Sequence, residues 1–378
     1  MENWTVGIED FHKTTHVGAF VMMRKVHSQL DGGDRILTGF VKFIPNFNWV
    51  AEFFYSHAVD SDLAIIRLAL RIMQERRLGT HGETLRPRTV FRNRKISSQA
   101  SDFVIRWLLM SSIFNLQEEV AVVIGGTGAL GSAMASALSA AGARVALAGR
   151  NTERGTALAE SISQSGGETR FFSVDAPDLQ SVRSLLESVQ SKWTVPSILV
   201  NAAGGNSPTV TVTSDLPFEI IQKEDWLENF ELNLIGGALV PCQVFGPAMA
   251  EAGGGSIINI ASVSAHLPLS RVIAYSAAKA AVLNLTAFLA REWAPKGVRV
   301  NSITPGFFPA EQNRNLLFQD DGSPTERGAS ILGHTPMARF GEPQELGGAV
   351  VFLASKQASG FVTGTDLRVD GGFLSQTI

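Results

Sequence analysis

The 378-residue sequence predicts an α/β fold built on a doubly wound parallel sheet, preceded by an N-terminal extension of uncertain structure. Three observations predict it. From about Leu116 onward, short apolar runs alternate with Ala- and Leu-rich stretches of helical length, the pattern of a parallel sheet covered on both faces. A glycine-rich turn separates the first apolar run from the first helical stretch. Before Leu116 neither period is sustained.

The elements follow in order. Glu119 to Ile124 reads as a buried strand, and the Ala-rich stretch from about Gly131 to Gly142 as a helix. A strand over Arg144 to Ala148, a helix around Glu153 to Ser165 and a strand near Thr169 to Val174 come next. A helix from Leu179 to Lys192 leads to a strand at Ser197 to Val200. The later strands are Ser256 to Ile260, Val298 to Ile303 and Thr365 to Val369, and long helices at Trp226 to Glu251 and Tyr275 to Trp293 lie between them. Right-handed crossovers turn this order into a Rossmann-type sheet over residues 116–378.

Residues 1–115 form the extension, and their role is not fixed by sequence. Leu63 to Met73 has helical spacing, with Arg67 and Arg71 on one side, and Asn46 to Tyr55 is aromatic-rich. Five of the seven histidines (His12, His16, His27, His57 and His81) lie here at spacings that match no metal motif. The arginines crowded between Arg67 and Arg106 read as a solvated or disordered segment, or as a surface for an acidic partner. A third reading places these residues before the true start of translation, with Met110 as the start.

Composition narrows the function. Apolar residues make up 45% of the chain and charged residues 18%, enough to bury a large core. A net charge of -3 provides no global basic field for nucleic acid. The one cysteine, Cys242, lies in the apolar stretch Leu239 to Phe245 and reads as a packing residue. It allows no intrachain disulfide, and a reducing, cytoplasmic setting fits. The first ten residues carry acids and no apolar core of a signal peptide, and no run of about 18 uncharged apolar residues appears, so neither a leader nor a membrane span is expected.

The glycine turn reads Gly125-Gly126-Thr127-Gly128-Ala129-Leu130-Gly131. Placed after a strand and before a helix, it lets the backbone approach a pyrophosphate at a helix N-terminus. The end of the second strand discriminates between the two nicotinamide dinucleotides. An acid there would bind the adenosine ribose hydroxyls of NAD; this chain has Gly149 followed by Arg150. A guanidinium beside an uncharged pocket attracts a 2′-phosphate, so NADP(H) is preferred, with NAD(H) the alternative. Asp175 ends the third strand at the adenine region, and Asn201-Ala202-Ala203-Gly204 leaves space above the fourth.

Tyr275 and Lys279 lie one helical turn apart and share a face. Free tyrosine has a pKa of about 10. A neighbouring ammonium is expected to lower it and make the phenol a usable acid–base group. Ser262 follows the strand that ends at Ile260, where its hydroxyl can hold a carbonyl oxygen. No metal is required.

With these residues in view, the chain from about Leu116 to the C-terminus resembles the short-chain dehydrogenase/reductase family over about 260 residues. The glycine turn, Asn201-Ala202-Ala203-Gly204, Asn233, Ser262, Tyr275, Lys279 and Pro305-Gly306 carry the resemblance. It implies that Asn233 kinks its helix and completes an Asn–Ser–Tyr–Lys proton relay, that Pro305 and Gly306 border the cofactor, and that the protein is a homo-oligomer, a tetramer or dimer. Departures are Ile124 in place of the usual Thr, Ala129 at a usual glycine, and Phe307-Phe308-Pro309-Ala310 where a Thr often follows Pro-Gly.

Within the family, Asn201 to Pro208, Pro305 to Phe308, Glu311 to Arg314 and Asp321 to Arg327 resemble a subgroup of sugar-acid reductases, the D-mannonate oxidoreductases or fructuronate reductases. The resemblance implies interconversion of D-fructuronate and D-mannonate. Gluconate 5-dehydrogenase-like or other polyol dehydrogenases using NAD(H) are the nearest alternative, and a non-catalytic nucleotide-binding regulator is one of another class. Asn206, Gln312 and Asn313 offer partners for hydroxyls, Arg314 suits a carboxylate, and His266 and Arg271 lie between Ser262 and Tyr275. Glu311 to Arg339 is expected to form helices over the site, as a lid.

Overall fold

The computed structural model describes residues 113–164, 167–311 and 313–377, together with four strands nearer the N-terminus: β1 (Ile8–Thr14), β2 (Phe20–Leu30), β3 (Gly33–Ile44) and β4 (Phe47–Ser56). The chain divides into two compact units, Met1–Ser111 and Ser112–Ile378. In the first unit the four strands pair in sequence order as an antiparallel sheet, with a register irregularity between Lys42 and Ile44 of β3. The aromatic-rich stretch is β4. The helical spacing of Leu63 to Met73 and the arginine-rich stretch lie outside the described residues.

The second unit runs β5 (Val120–Ile124), α1 (Ala129–Ala140), β6 (Arg144–Gly149), α2 (Thr152–Gln164), β7 (Thr169–Ser173), α3 (Leu179–Lys192) and β8 (Ile198–Asn201). It continues through α4 (Lys223–Phe230), a π-helical stretch (Glu231–Leu239), α5 (Val240–Glu251), β9 (Gly255–Ile260), α6 (Ile273–Trp293) and β10 (Val298–Pro305). Then come α7 (Arg314–Leu317), α8 (Glu326–His334), α9 (Leu346–Ala354), α10 (Lys356–Ser359) and β11 (Asp366–Val369).

The seven strands order as β7-β6-β5-β8-β9-β10-β11, all parallel. Both faces are covered, which explains why the strands read as unbroken apolar runs. Along β5, Ala121 and Val123 pack against α1, α2 and α9, while Val120, Val122 and Ile124 pack against α3, α5 and α6. The chain winds from β5 outward to β7 and then returns to place β8 on the other side of β5. That reversal opens a crevice at the C-terminal ends of β5 and β8, where ligands bind in such sheets.

One expected element differs. The helix predicted as a single run from Trp226 to Glu251 is wound as π-helix over nine residues in its middle. Asn233 Nδ2 donates to the Asn229 carbonyl at 3.0 Å, so a side chain takes an acceptor of the helical ladder, and the widened turn accommodates it. Two helical runs, Lys223–Glu251 and Ile273–Lys296, are long and apolar enough to cross a membrane by length and composition. Here they form the layer on the second face of the sheet, where Phe245, Met249, Leu289 and Ala290 enter the core.

Phe245 is among the largest fully buried side chains of that layer. Phe245→Ala is expected to destabilise the second unit by about 3–5 kcal/mol, lowering its Tm by roughly 2–4 °C per kcal/mol. Differential scanning calorimetry checks this.

Candidate active site

The crevice begins at the turn between β5 and α1. Gly125 has φ of +77°, a left-handed conformation, and a Cβ there would lie 2.4 Å from the Ala203 nitrogen. The turn therefore rests directly on the strand that follows the switch point. A Cβ at Gly131 would lie 2.3 Å from the Gly125 carbonyl oxygen, so α1 packs onto the turn only through glycine. Gly128 caps α1 with no side-chain hydrogen bond, and no acid lies in the first turn. Its leading N–H groups are thus available to an anion.

At the end of β6, Thr127 lies over Gly149: a Cβ on that glycine would be 3.0 Å from Thr127 Oγ1. A cavity of about 350 Å³ opens beside it, lined by Thr127, Gly128, Arg150, Arg154 and Glu311 among others. Arg154, which sequence reasoning did not single out, sits one turn beyond Arg150, 3.8 Å from the exposed Glu311 carboxylate. The i, i+4 spacing of the two arginines was the available signal. An uncapped helix end, a glycine-built cradle and two guanidiniums fit a phosphorylated dinucleotide. Asp175 is exposed at the end of β7, with its backbone N–H bonded to Ser181 Oγ at 2.9 Å.

The side chains expected to be catalytic meet at the ends of β8 and β9. Ser262 follows β9, close enough to Tyr275 for its hydroxyl to favour the phenolate against the effect of burial. Ser264, buried and not anticipated, donates to Ser262 Oγ at 3.0 Å. Lys279 is 3% exposed; its Nζ donates to the Ile260 carbonyl at 2.7 Å and lies 5.8 Å from the Tyr275 ring centroid. Asn233 accepts from the Gly205 N–H at 2.9 Å and donates to the Gly205 carbonyl at 2.8 Å. A Cβ on Gly204 would come within 2.7 Å of Asn233 Oδ1 and 3.2 Å of Lys279 Nζ, so these two side chains converge over one glycine. The fold thus brings Asn233, Ser262, Tyr275 and Lys279 together.

The electrostatics differ from the expectation in one respect. Enclosure pushes the Tyr275 phenol upward, against the opposing hydrogen bond from Ser262. Burial also pushes the Lys279 amine down to about 8. An ammonium that is itself costly to keep charged does not hold the neighbouring phenol low in the protein alone.

Several cofactor and substrate candidates have packing or hydrogen-bond partners within the protein. Asn201 does not face the crevice. It is fully buried, donating to Asn259 Oδ1 at 2.8 Å, while Asn259 donates to Thr286 at 2.9 Å. It ties β8 to β9 and α6. Cys242 abuts this network, buried, with its thiol pushed up to about 12 by burial. Ala202 packs against the β5 core and Ala203 against the opposite cluster, and Leu130 joins the first. Gly126 approaches Leu147, and Gly306 abuts Asp370, so both serve close packing of the rim that ends at Pro305.

Among the substrate candidates, His266 pairs with Asp366 at 3.0 Å, against β11. Asn313 is turned into its own loop, accepting from the Ala310 N–H and donating to the Phe308 carbonyl. Asn206 donates to Thr211 at 2.6 Å. Arg314 lies over the Phe318 ring, 5.5 Å from its centroid. Gln312 lies outside the described residues. Arg271 is exposed with φ of +73°, four residues before Tyr275. The excursion between β10 and β11 does form helices, α7 and α8, and Leu317 and Ile331 pack with Val263 next to Ser262.

Comparison with known proteins agrees with this architecture. A family model described as enoyl-(acyl carrier protein) reductase matches residues 126–374. An uncharacterized oxidoreductase of Bacillus subtilis, UxuB, is 39% identical over 269 residues, covering 69% of this chain and 96% of its own length. A solved Haemophilus influenzae structure with bound NAD, described as a candidate D-mannonate oxidoreductase, is 37% identical with a TM-score of 0.67, covering 71% of this chain and 99% of its own. A Burkholderia cenocepacia gluconate 5-dehydrogenase, solved with NADP and tartrate, is 31% identical with a TM-score of 0.64, covering 71% and 100%. The chain belongs to the short-chain dehydrogenase/reductase family. It is an NAD(P)-dependent oxidoreductase that acts on CH–OH groups.

Lys279 gives a measurable pH signature. Its pKa of about 8 lies below the roughly 10.4 of an unfolded lysine, so between those values the unfolded chain binds more protons and stability rises with pH. Below pH 8 both states are protonated and the burial cost is fully present. The Tm difference between wild type and Lys279→Met, measured without cofactor, should therefore shift in favour of wild type as pH is raised from 8 to 10.

Proposed function

We propose that this enzyme reduces a keto sugar acid to the corresponding hydroxy acid, reversibly and with NADP(H), and that D-fructuronate and D-mannonate are its substrate pair. The observation that carries the catalytic part is the buried Lys279 amine, 5.8 Å from the Tyr275 ring centroid, with Ser262 acting on the same phenol. When bound, the dinucleotide supplies or accepts the hydride. Ser262, itself held by Ser264, positions the substrate oxygen. Tyr275 gives that oxygen its proton in reduction, a role suited to a phenol that stays protonated. Lys279 fixes the tyrosine side of the crevice, and Asn233 holds the Gly204–Gly205 backbone against it.

Support for NADP(H) comes from Arg150 and Arg154 at the cavity beside β6 and from Gly149 at the strand end, where an acid would bind a ribose diol; the carboxylate that lines this cavity, Glu311, belongs to the segment after β10 and faces Arg154. The relatives bracket the choice: the Haemophilus structure holds NAD and the Burkholderia structure NADP. A second reading, a gluconate 5-dehydrogenase, is favoured by the latter likeness and by a 33% identical Escherichia coli 2-dehydro-3-deoxy-D-gluconate 5-dehydrogenase. A cytoplasmic homo-oligomer fits the single buried cysteine and the exposed apolar side chains Leu227 and Phe288 on the two long helical runs.

Rates with D-fructuronate and 5-ketogluconate, each with NADPH and NADH, test the proposal. The best activity is expected with fructuronate and NADPH. Tyr275→Phe should lower kcat on the order of 10²- to 10⁴-fold with cofactor binding retained. Undiminished turnover would refute the assignment. Arg150→Ala should raise the KM for NADPH on the order of 10- to 100-fold and leave that for NADH nearly unchanged.

A further inference from the structure

Three loops converge at the rim of the crevice opposite the adenine end. The exit from β8 meets the loop between β9 and α6 through the Val212 N–H, which donates to the Arg271 carbonyl at 2.9 Å. The excursion between β10 and β11 meets the same loop through Arg327, whose Nη1 donates to Ser270 Oγ at 3.3 Å. Arg327 lies in the first turn of α8, and α8 is anchored beside the catalytic serine by Ile331, which packs in one apolar cluster with Val263. Arg327 is thereby bonded to the residue preceding Arg271, which itself lies four residues before Tyr275.

This arrangement is unfavourable by itself. Partial burial makes Arg327 costly to charge, and repulsion from Arg271 adds to that cost. Neither forms an ion pair among the described residues. Arg271 also occupies the left-handed backbone region, which an L residue with a long side chain rarely adopts. Two cations without an ion pair on neighbouring loops are offset by one kind of partner, an anion accepting from both forks.

We propose that Arg271 and Arg327 form the subsite that holds the carboxylate of an acidic substrate, the role that the sequence assigned to Arg314. Arg314 is engaged over Phe318, whereas Arg327 reaches the loop that carries Ser262 toward Tyr275. This inference rests on the sugar-acid reading and names the residues that select for it. Because one arm comes from the excursion, the acid would also tie that segment to the catalytic loop.

The test compares each acid with its uncharged counterpart, D-mannonate with D-mannitol and D-gluconate with D-glucitol, in the oxidative direction. These pairs differ only in a carboxylate against a hydroxymethyl group. In Arg327→Met the ratio of kcat/KM for acid over polyol should fall on the order of 10- to 100-fold, through the KM of the acid, with partial recovery in Arg327→Lys. Arg271→Gly should lose the same ratio without losing thermal stability, since glycine accepts the backbone conformation. An unchanged ratio in both variants, with a wild type that oxidises the acids, overturns the subsite and leaves the functional reading standing. A wild type that turns over the polyols but neither acid overturns the functional reading and the subsite together.

Discussion

The enclosure of a single amine governs this site. Lys279 projects from α6 into a space closed by the end of β9, the Gly204 backbone and the Tyr275 ring. Taking that amine out of water costs free energy, and among the described residues one acceptor, the Ile260 carbonyl, offsets it. Everything nearby is arranged around that cost. Gly204 has no Cβ because one would collide with Asn233 and crowd the amine. Asn233 reaches Gly205 because its helix is widened, and the widening needs Gly236 to lie against Pro177. A change in any of these positions acts on the phenol indirectly, by moving the amine.

The sheet was legible because burial on both faces leaves long apolar strands, and because each strand–helix turn carries its own small-residue signature. Three of the four proposed catalytic residues were legible for a local reason, and Asn233 only through the family resemblance. Tyr275 and Lys279 share one helical face, and Ser262 stands at a strand end that a parallel sheet delivers to the same rim. What the sequence hid were orientations. Asn201 reads as a crevice residue by position, yet its side chain turns into the sheet toward Asn259. His266 lies between the catalytic serine and tyrosine in sequence, but its ring finds Asp366 on the far strand. Asn313 satisfies its own loop, and the π-helical stretch has no periodicity that differs from an ordinary amphipathic helix over so few turns. Side chains that settle a local hydrogen bond cannot be told from those that await a ligand by residue type alone. Arg327 shows the converse. It lay in a stretch already noted for its likeness to sugar-acid reductases, and only the folded loop reveals its neighbour.

The nucleotide end follows a different logic. Its specificity resides in the absence of side chains as much as in their presence. Gly149 keeps the surface beside β6 free of a carboxylate, and Thr127 fills the space a larger residue would take. The two arginines around the cavity are exposed and approached by Glu311 from the excursion. The excursion therefore touches both ends of the crevice, near the β6 cavity through Glu311 and near the catalytic loop through Arg327.

That geography separates two inheritances within one polypeptide. In the proposed scheme the groups that move a proton stand on β9 and α6, whereas one arm of the contact to the remainder of a reactant is borne by a stretch hung between the last two strands. Rewriting that stretch can change which metabolite is accepted without disturbing the reaction itself, so divergence among relatives of this kind should be concentrated there and scarce beneath it.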